Sequence, residues 1–153
     1  KYLMRRRGRK EIAFMITETE AYEGPRDKAS HASRGKTARN APMFRDAGIF
    51  YVYLCYGMHW MLNVVTGRHG YPAAVLIRGM EGAEGPGRIA RKLSIGKKFN
   101  NKPALRRTGL WFEDRGVEIE PRTIQKTPRV GVAYAGEEWA TKPFRFVLKT
   151  KNQ

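Results

Sequence analysis

Apolar side chains recur at every second position in several short stretches of this chain, which is the period of β-strands. The first clear stretch, residues 12–16, reads Ile-Ala-Phe-Met-Ile and predicts a buried strand. If no bulge interrupts that strand, Glu18, Glu20 and Tyr22 continue its apolar face. Two carboxylates would then extend the line of a core face, before a turn predicted at Gly24-Pro25.

Residues 50–56 predict a second strand, because they are rich in aromatic and β-branched side chains. Alternation places Tyr51 and Tyr53 on the same face of that strand. A turn follows, and residues 60–66 return as an antiparallel partner. Tyr56 therefore falls at the tip of a hairpin, where it has little part in a core.

The rest of the pattern predicts short strands, one short helix and long polar loops. Residues 23–48 form the longest predicted loop, and Gly85-Pro86-Gly87 precedes a predicted helix at residues 88–95. Strands are further predicted at residues 1–9 (an edge strand with a turn at 7–9), 73–78, 111–112, 117–119, 128–135 and 143–148. These elements predict an α+β fold, with an antiparallel-rich sheet and few short helices.

Composition indicates a globular protein of one domain. The 153 residues are 41% hydrophobic and 11% aromatic, which is enough to bury a core. No apolar stretch approaches membrane-spanning length, and no signal-peptide core follows the basic N-terminus. Cys55 is the single cysteine, which suits a reducing compartment. The three histidines lack cysteine partners and helical spacing, so no zinc site is predicted.

Charge is the strongest global feature of the sequence. Thirty Lys and Arg residues stand against 14 Asp and Glu, for a net charge of +16. This imbalance predicts an acidic partner, with nucleic acid as the leading one, although solubility alone is an alternative. Arg39 and Asn40 in the long loop offer donors for phosphate oxygens, and a solvated loop explains them equally well.

Glu20 is the leading candidate for a chemical role. A carboxylate at the end of a strand, beside Tyr22 and opening into a loop, suits a general base. A solvated strand end with one salt-bridged glutamate explains the same residues. Arg78, which follows four apolar residues, fits either a solvated strand terminus or a cation within a site.

The stretch around Glu20 resembles the opening motif of the alkyladenine DNA glycosylase family, whose members are also called 3-methyladenine or methylpurine DNA glycosylases. The motif reads Glu-Thr-Glu-Ala-Tyr at residues 18–22, followed by Gly-Pro, Asp27 and His31. The resemblance is strongest at residues 51–59, Tyr-Val-Tyr-Leu-Cys-Tyr-Gly-Met-His. It continues in order at residues 63–66, 74–78, 85–87, 129–132 and 142–146. One such motif would be weak, but this ordered set covers nearly the whole chain.

The resemblance implies a monofunctional glycosylase that flips alkylated or deaminated purines out of duplex DNA. These are bases of the 3-methyladenine, 7-methylguanine and hypoxanthine type, and the enzyme hydrolyses their N-glycosidic bond to leave an abasic site. By resemblance, Glu20 activates the attacking water, which Arg78 and the backbone carbonyl of Val130 help to hold. The other implied roles are stacking on the base (Tyr22, Tyr53), hydrogen bonding (His31), exclusion of guanine (Asn63), filling of the vacated stack (Tyr56) and DNA backbone contact (Arg39, Asn40, Arg88).

The expected partner is double-stranded DNA with damaged purines, bound by a monomer that needs no cofactor, metal or membrane. The expected location is the cytoplasm of a bacterial-type cell. The single domain, residues 1–153, is expected to lack the family's usual N- and C-terminal segments. The rival hypothesis is a non-catalytic, basic nucleic-acid-binding module. The presence of Glu20 together with the implied pocket residues favours the enzyme, because DNA binding alone does not require them.

Overall fold

Antiparallel strands make up most of this computed structural model, which describes residues 1–149. The strands are β1 (Tyr2–Arg7), β2 (Lys10–Tyr22), β3 (Phe50–Cys55), β4 (His59–Val65), β5 (Ala74–Met80), β6 (Ala83–Glu84), β7 (Leu110–Glu113), β8 (Ile124–Thr127) and β9 (Arg145–Leu148), and the helices are α1 (Pro86–Leu93) and α2 (Glu137–Ala140). They form one curled sheet in the order β3-β4-β5-β2-β1-β7, with β6 beside β5 and the β8–β9 pair against β2. The predicted α+β class is confirmed. None of the helices in the described residues is long and apolar enough to cross a membrane.

Strand β2 organises the sheet because it pairs with three other strands. Its first half pairs with β1, and its second half pairs with β5 on one side and β9 on the other. A β-bulge at Glu18 shifts the register between Ile16 and Thr19. The alternation from Ile12 to Tyr22 was predicted on the condition that no bulge interrupts the strand, and this bulge removes that condition. Residues 12–16 are also less buried than predicted, since Ile12 is 38% exposed.

Two apolar layers pack on opposite faces of the β3–β4 hairpin. Phe50 and Val52 belong to the larger core, where α1 buries Ile89, Ala90 and Leu93 against the sheet. Tyr51 and Tyr53 belong to a second cluster on the other face. The predicted alternation in β3 is therefore confirmed, and it brings the two tyrosines to the side of the sheet that faces the long loop.

The turn between β3 and β4 carries Tyr56 at its tip, as predicted. Its φ angle of +49° lies in the left-handed region, which bulky side chains rarely adopt. Gly57 follows with φ +69°. The side chain of Tyr56 is 88% exposed, so the fold holds an aromatic ring in solvent on a strained turn.

Several predicted elements differ from the structure. Strand β1 lies between β2 and β7, so it is not an edge strand. Residues 117–119 form no strand, and residues 128–135 form a turn and a short 3₁₀ helix, Ala133–Ala135. Strand β8 was not predicted, because its sequence, Ile-Gln-Lys-Thr, has no apolar alternation and depends on pairing with β9.

Candidate active site

The carboxylate of Glu20 is fully buried at the end of β2, accepts hydrogen bonds from two donors and lies near a guanidinium group. Tyr22 Oη donates to Glu20 Oε2 at 3.0 Å, and the backbone N–H of Val130 donates to Oε1 at 2.8 Å. Arg78 Nε lies 3.5 Å from the same Oε1. A carboxylate has about four lone-pair sites, so two hydrogen bonds leave acceptor positions for another donor such as water. Glu20 also lines a groove, so its carboxylate stands at the edge of that groove.

Glu18 lies nearby in a different electrostatic environment. Its Oε1 accepts from Arg78 Nε at 2.9 Å and from Arg145 Nε at 2.6 Å. Because Glu18 binds both guanidinium groups, it orients Arg78 between the two carboxylates. Glu18 is thus committed to ion pairs, whereas Glu20 keeps hydrogen bonds to a tyrosine and to the backbone.

An aromatic pocket opens beside Glu20 and joins a wider groove of about 840 Å³. His31 Nδ1 lies 2.9 Å from Tyr51 Oη, and the His31 ring packs edge-on against Tyr53 with centroids 4.6 Å apart. Tyr22 and Tyr53 line both the pocket and the groove. The structure therefore brings together Tyr22, His31, Tyr53 and Asn63, which the sequence had assigned to one base pocket.

Burial sets the protonation states of these aromatic groups. Burial, and then the negative charge of Glu20, raise the pKa of Tyr22 far above its ordinary value. Burial raises the pKa of Tyr51 to about 12 and raises that of Tyr53 as well. The pKa of His31 is lowered, first by burial and then by the charge of Arg39. The pocket thus presents hydroxyl donors and a neutral imidazole at neutral pH.

Asn63 lies on β4 at the floor of the pocket and is almost completely buried. Its Nδ2 donates to the backbone carbonyl of Tyr51 at 3.1 Å. Asn63 therefore has a structural contact with the backbone together with a place in the pocket wall. The hydrogen bond fixes the side chain, so its remaining polar edge has a defined position.

A buried ion pair ties the two loops around the pocket to each other. Arg129 makes a two-pronged contact with Asp27, with N–O distances of 2.5 and 2.8 Å, and both side chains are fully buried. Asp27 also accepts from the backbone N–H groups of Glu23 and Ala29. Arg129 directly precedes Val130, so the pair places the N–H group that holds Glu20. Sequence reasoning gave this pair no role, because its members are 102 residues apart.

The residues predicted to contact the DNA backbone have separate locations. Arg39 lines the groove, donates to the carbonyl of Leu54 and lies over the Tyr53 ring. The prediction for Asn40 is wrong: its amide is buried and donates to the carbonyls of His31 and Gly35. Its donors therefore shape the loop and are not free for phosphate. Arg88 is exposed on α1 and lines a cavity other than the groove, so its phosphate contact stays a prediction.

Two further residues were missed from the sequence. Tyr51 was assigned only to a face of β3, yet its hydroxyl is the partner of His31. Tyr134 lines both the pocket and the groove. In the sequence, the only sign of a role in the site was that this aromatic residue lies close to glycines. Among residues 1–149, no three His, Cys, Asp or Glu side chains are grouped so as to hold a metal ion.

Comparison with known protein families gives a match over nearly the whole chain. The family model described as methylpurine-DNA glycosylase matches residues 1–84 and 81–152. These matches identify an enzyme of the hydrolytic DNA glycosylase class. Within that class, the chain belongs to the methylpurine-DNA glycosylase family, which confirms the resemblance seen in the sequence.

Curated relatives carry the same family description. A protein of Anaeromyxobacter dehalogenans strain 2CP-C is 45% identical over 147 residues, which cover 90% of this chain and 68% of the relative. A Methanocella arvoryzae protein is 44% identical over 158 residues, covering 90% and 77%. A Legionella pneumophila strain Corby protein is 40% identical over 156 residues, covering 97% and 84%. Each is named "Putative 3-methyladenine DNA glycosylase".

Proposed function

We propose that this protein extrudes alkylated or deaminated purines from duplex DNA and hydrolyses their N-glycosidic bond, leaving an abasic site. The observation that carries the proposal is the buried Glu20 carboxylate, held by Tyr22 and the Val130 N–H beside an aromatic pocket. A base inside a duplex is inaccessible, so the nucleotide must leave the stack to reach such a pocket.

In the proposed reaction, Glu20 accepts a proton from a water molecule as that water attacks C1′ of the sugar. The bond between C1′ and the purine nitrogen breaks, and its electron pair leaves with the base. A base that was cationic through alkylation then departs as a neutral molecule, whereas hypoxanthine departs as an anion that takes up a proton from solvent, and Glu20 returns its proton to solvent. The carboxylate also stabilises the positive charge that develops on the sugar. Arg78 helps to orient the water, together with the backbone carbonyl of Val130.

The pocket suits an electron-poor purine. Tyr22 and Tyr53 provide aromatic faces, which attract a cationic base. A neutral His31 adds no competing positive charge. Tyr56, exposed at the hairpin tip, fills the space that the extruded nucleotide vacates.

The test is single-turnover base release from a duplex with one hypoxanthine or 7-methylguanine, followed by alkaline cleavage at the abasic site. Glu20→Gln keeps the shape of the side chain but cannot accept the proton, so release should fall by about 10²–10⁴-fold while lesion binding remains. Glu18→Gln is the matched control, since Glu18 lies on the same strand as Glu20 but is paired with Arg78 and Arg145 from neighbouring strands. Its loss should be milder.

Equal losses in the two variants would contradict the assignment of Glu20 as the base. Lesion binding without any release by the unchanged protein would instead favour the non-catalytic binding module.

A further inference from the structure

Tyr134 combines an exposed aromatic ring with a hydroxyl group that is held in place. Its ring is 70% exposed, yet its hydroxyl donates a hydrogen bond to the backbone carbonyl of Ala29 at 2.8 Å. The residue belongs to the 3₁₀ helix Ala133–Ala135, in which Ala135 packs with Val132 and Trp139 in a small core. The ring is therefore held at one end and faces solvent along most of its surface.

The position of this ring relates it to the active site. Tyr134 lines the base pocket together with Tyr22 and Tyr53, and it also lines the groove into which the pocket opens. It comes from the segment that supplies the Val130 N–H to Glu20. Tyr134 thus stands where pocket and groove meet, on a segment separate from the β3–β4 hairpin.

Tyr56 offers a useful contrast. Tyr56 is also strongly exposed and lines the groove, but it does not line the base pocket. A side chain that lines only the groove is placed to contact the duplex. A side chain that lines both the groove and the pocket is placed to contact a ligand that moves from one into the other. An aromatic ring fixed before binding loses little conformational freedom when it stacks on a ligand.

We propose that Tyr134 is a DNA-contact residue, whose ring packs against the extruded nucleotide at the entrance of the base pocket. The contact forms only when a nucleotide is extrahelical, so it favours the flipped state over the stacked state. This inference rests on the proposed function, because it assumes that the ligand entering the pocket is a nucleotide.

The experiment compares Tyr134→Ala, Tyr134→Leu and Tyr134→Phe. Dissociation constants are measured for duplexes with and without a central hypoxanthine, and the fluorescence of a 2-aminopurine placed next to the hypoxanthine reports extrusion through the loss of stacking. Stacking of one base on an aromatic ring corresponds to about a 5- to 150-fold change in affinity. Tyr134→Ala and Tyr134→Leu should weaken lesion binding by at least about 5-fold and reduce the fluorescence rise. Undamaged duplex should bind as before, and Tyr134→Phe, which keeps the ring but loses the tie to Ala29, should lie between the unchanged protein and Tyr134→Ala.

Two controls separate this contact from simple loss of structure. Val117→Ala removes a 45% exposed apolar side chain that lines neither pocket nor groove, and it should change nothing. Tyr56→Ala should also weaken extrusion. Because Tyr56 contacts the duplex and not the pocket, this variant should not show the selective loss of lesion binding that is expected for Tyr134→Ala. Thermal melting identifies any variant that fails to fold. If Tyr134→Ala fails to fold, Tyr134→Leu provides the test.

The inference is overturned if Tyr134→Ala and Tyr134→Leu bind the lesion duplex like the unchanged protein. It is also overturned if Tyr134→Phe loses as much as Tyr134→Ala, since the hydroxyl tie to Ala29 would then be what matters. These outcomes are read from binding and extrusion, so they differ from failure of the proposed function, which appears as absent base release by the unchanged protein.

Discussion

Two glutamates that lie close together on β2 have different hydrogen-bond partners. Glu18 and Glu20 are two positions apart, yet Glu18 accepts from two arginines and Glu20 from a tyrosine and a backbone N–H. The bulge at Glu18 contributes to this difference, because it shifts the pairing of β2 with β5 at this residue. Asn40 also shows that residue type does not determine surroundings. Its amide nitrogen donates both of its hydrogen bonds to carbonyl groups within its own loop.

At this scale we predict that Asn63 provides selectivity against guanine. Adenine and hypoxanthine lack the exocyclic amino group of guanine at C2, and a fixed side chain at the pocket wall rejects that group by collision and an unmet hydrogen bond. Asn63→Ala should therefore lower the activation free energy for release of unmodified guanine by about 1–3 kcal/mol, so that guanine is released faster. Release of alkyladenine should be less affected. Single-turnover excision from matched duplexes containing guanine, hypoxanthine or an alkylpurine measures the change.

Because Asn63 also donates to the Tyr51 carbonyl, its substitution has a structural effect that must be separated. Thermal melting of the same variant provides that separation. Proportional loss on all three substrates together with reduced stability would show that Asn63 is structural only.

The active site is built from elements distant in sequence. The end of β2 supplies Glu20 and Tyr22, the β3–β4 hairpin supplies the aromatic wall, and β5 supplies Arg78. The two loops that complete the pocket contain little regular structure. Their arrangement depends on the buried pair of Asp27 and Arg129, which joins the loop after β2 to the segment after β8.

We predict that breaking this buried pair strongly destabilises the fold. Asp27→Asn leaves the Arg129 charge buried without a counter-charge, which should cost about 3–5 kcal/mol of unfolding free energy. For a domain of this size, that corresponds to a fall of roughly 6–20 °C in Tm. Calorimetry or a thermal melt measures the shift.

The exposed pair of Arg122 and Glu120 provides the matched control, because water surrounds both side chains. Glu120→Gln should leave Tm nearly unchanged. A similar small shift for Asp27→Asn would show that the buried pair does not hold the loops.

Basic side chains form two regions, of which one lines the groove of the active site and the other lies far from it. Lys28, Arg34, Arg39 and Arg78 line the groove, whose one acidic lining residue is the buried Glu20. Another basic group, Arg7, Arg9 and Lys10, lies at the turn between β1 and β2. Ten residues of strand separate Lys10 from Glu20, which corresponds to roughly 33 Å. The two basic regions are therefore distinct surfaces.

At the scale of the molecule we predict a steep salt dependence of DNA binding. If the basic surface contacts about five to eight phosphates, log affinity should fall with log salt concentration at a slope of roughly −5 to −7. Duplexes with and without a lesion should give similar slopes. Binding titrations across a range of salt concentrations measure both.

Charge-neutralising variants assign the contacts to one surface. Lys28→Gln combined with Arg34→Gln should reduce the slope by about two, whereas Arg9→Gln combined with Lys10→Gln should leave it unchanged. A nearly flat slope for the unchanged protein would mean that the net charge of +16 has another purpose.

The sequence by itself determined the strands with clear alternation, the hairpin that exposes Tyr56, the basic character and the family. These features are local or compositional, so a linear pattern contains them. Tertiary structure decided which glutamate has which partners, that Asn40 is buried, that Asp27 meets Arg129 and that Tyr134 reaches the pocket. Each depends on a bulge, on pairing between distant segments or on a loop without periodicity. A period of two specifies the face of a strand, but burial and partners follow only from the packing of segments against one another.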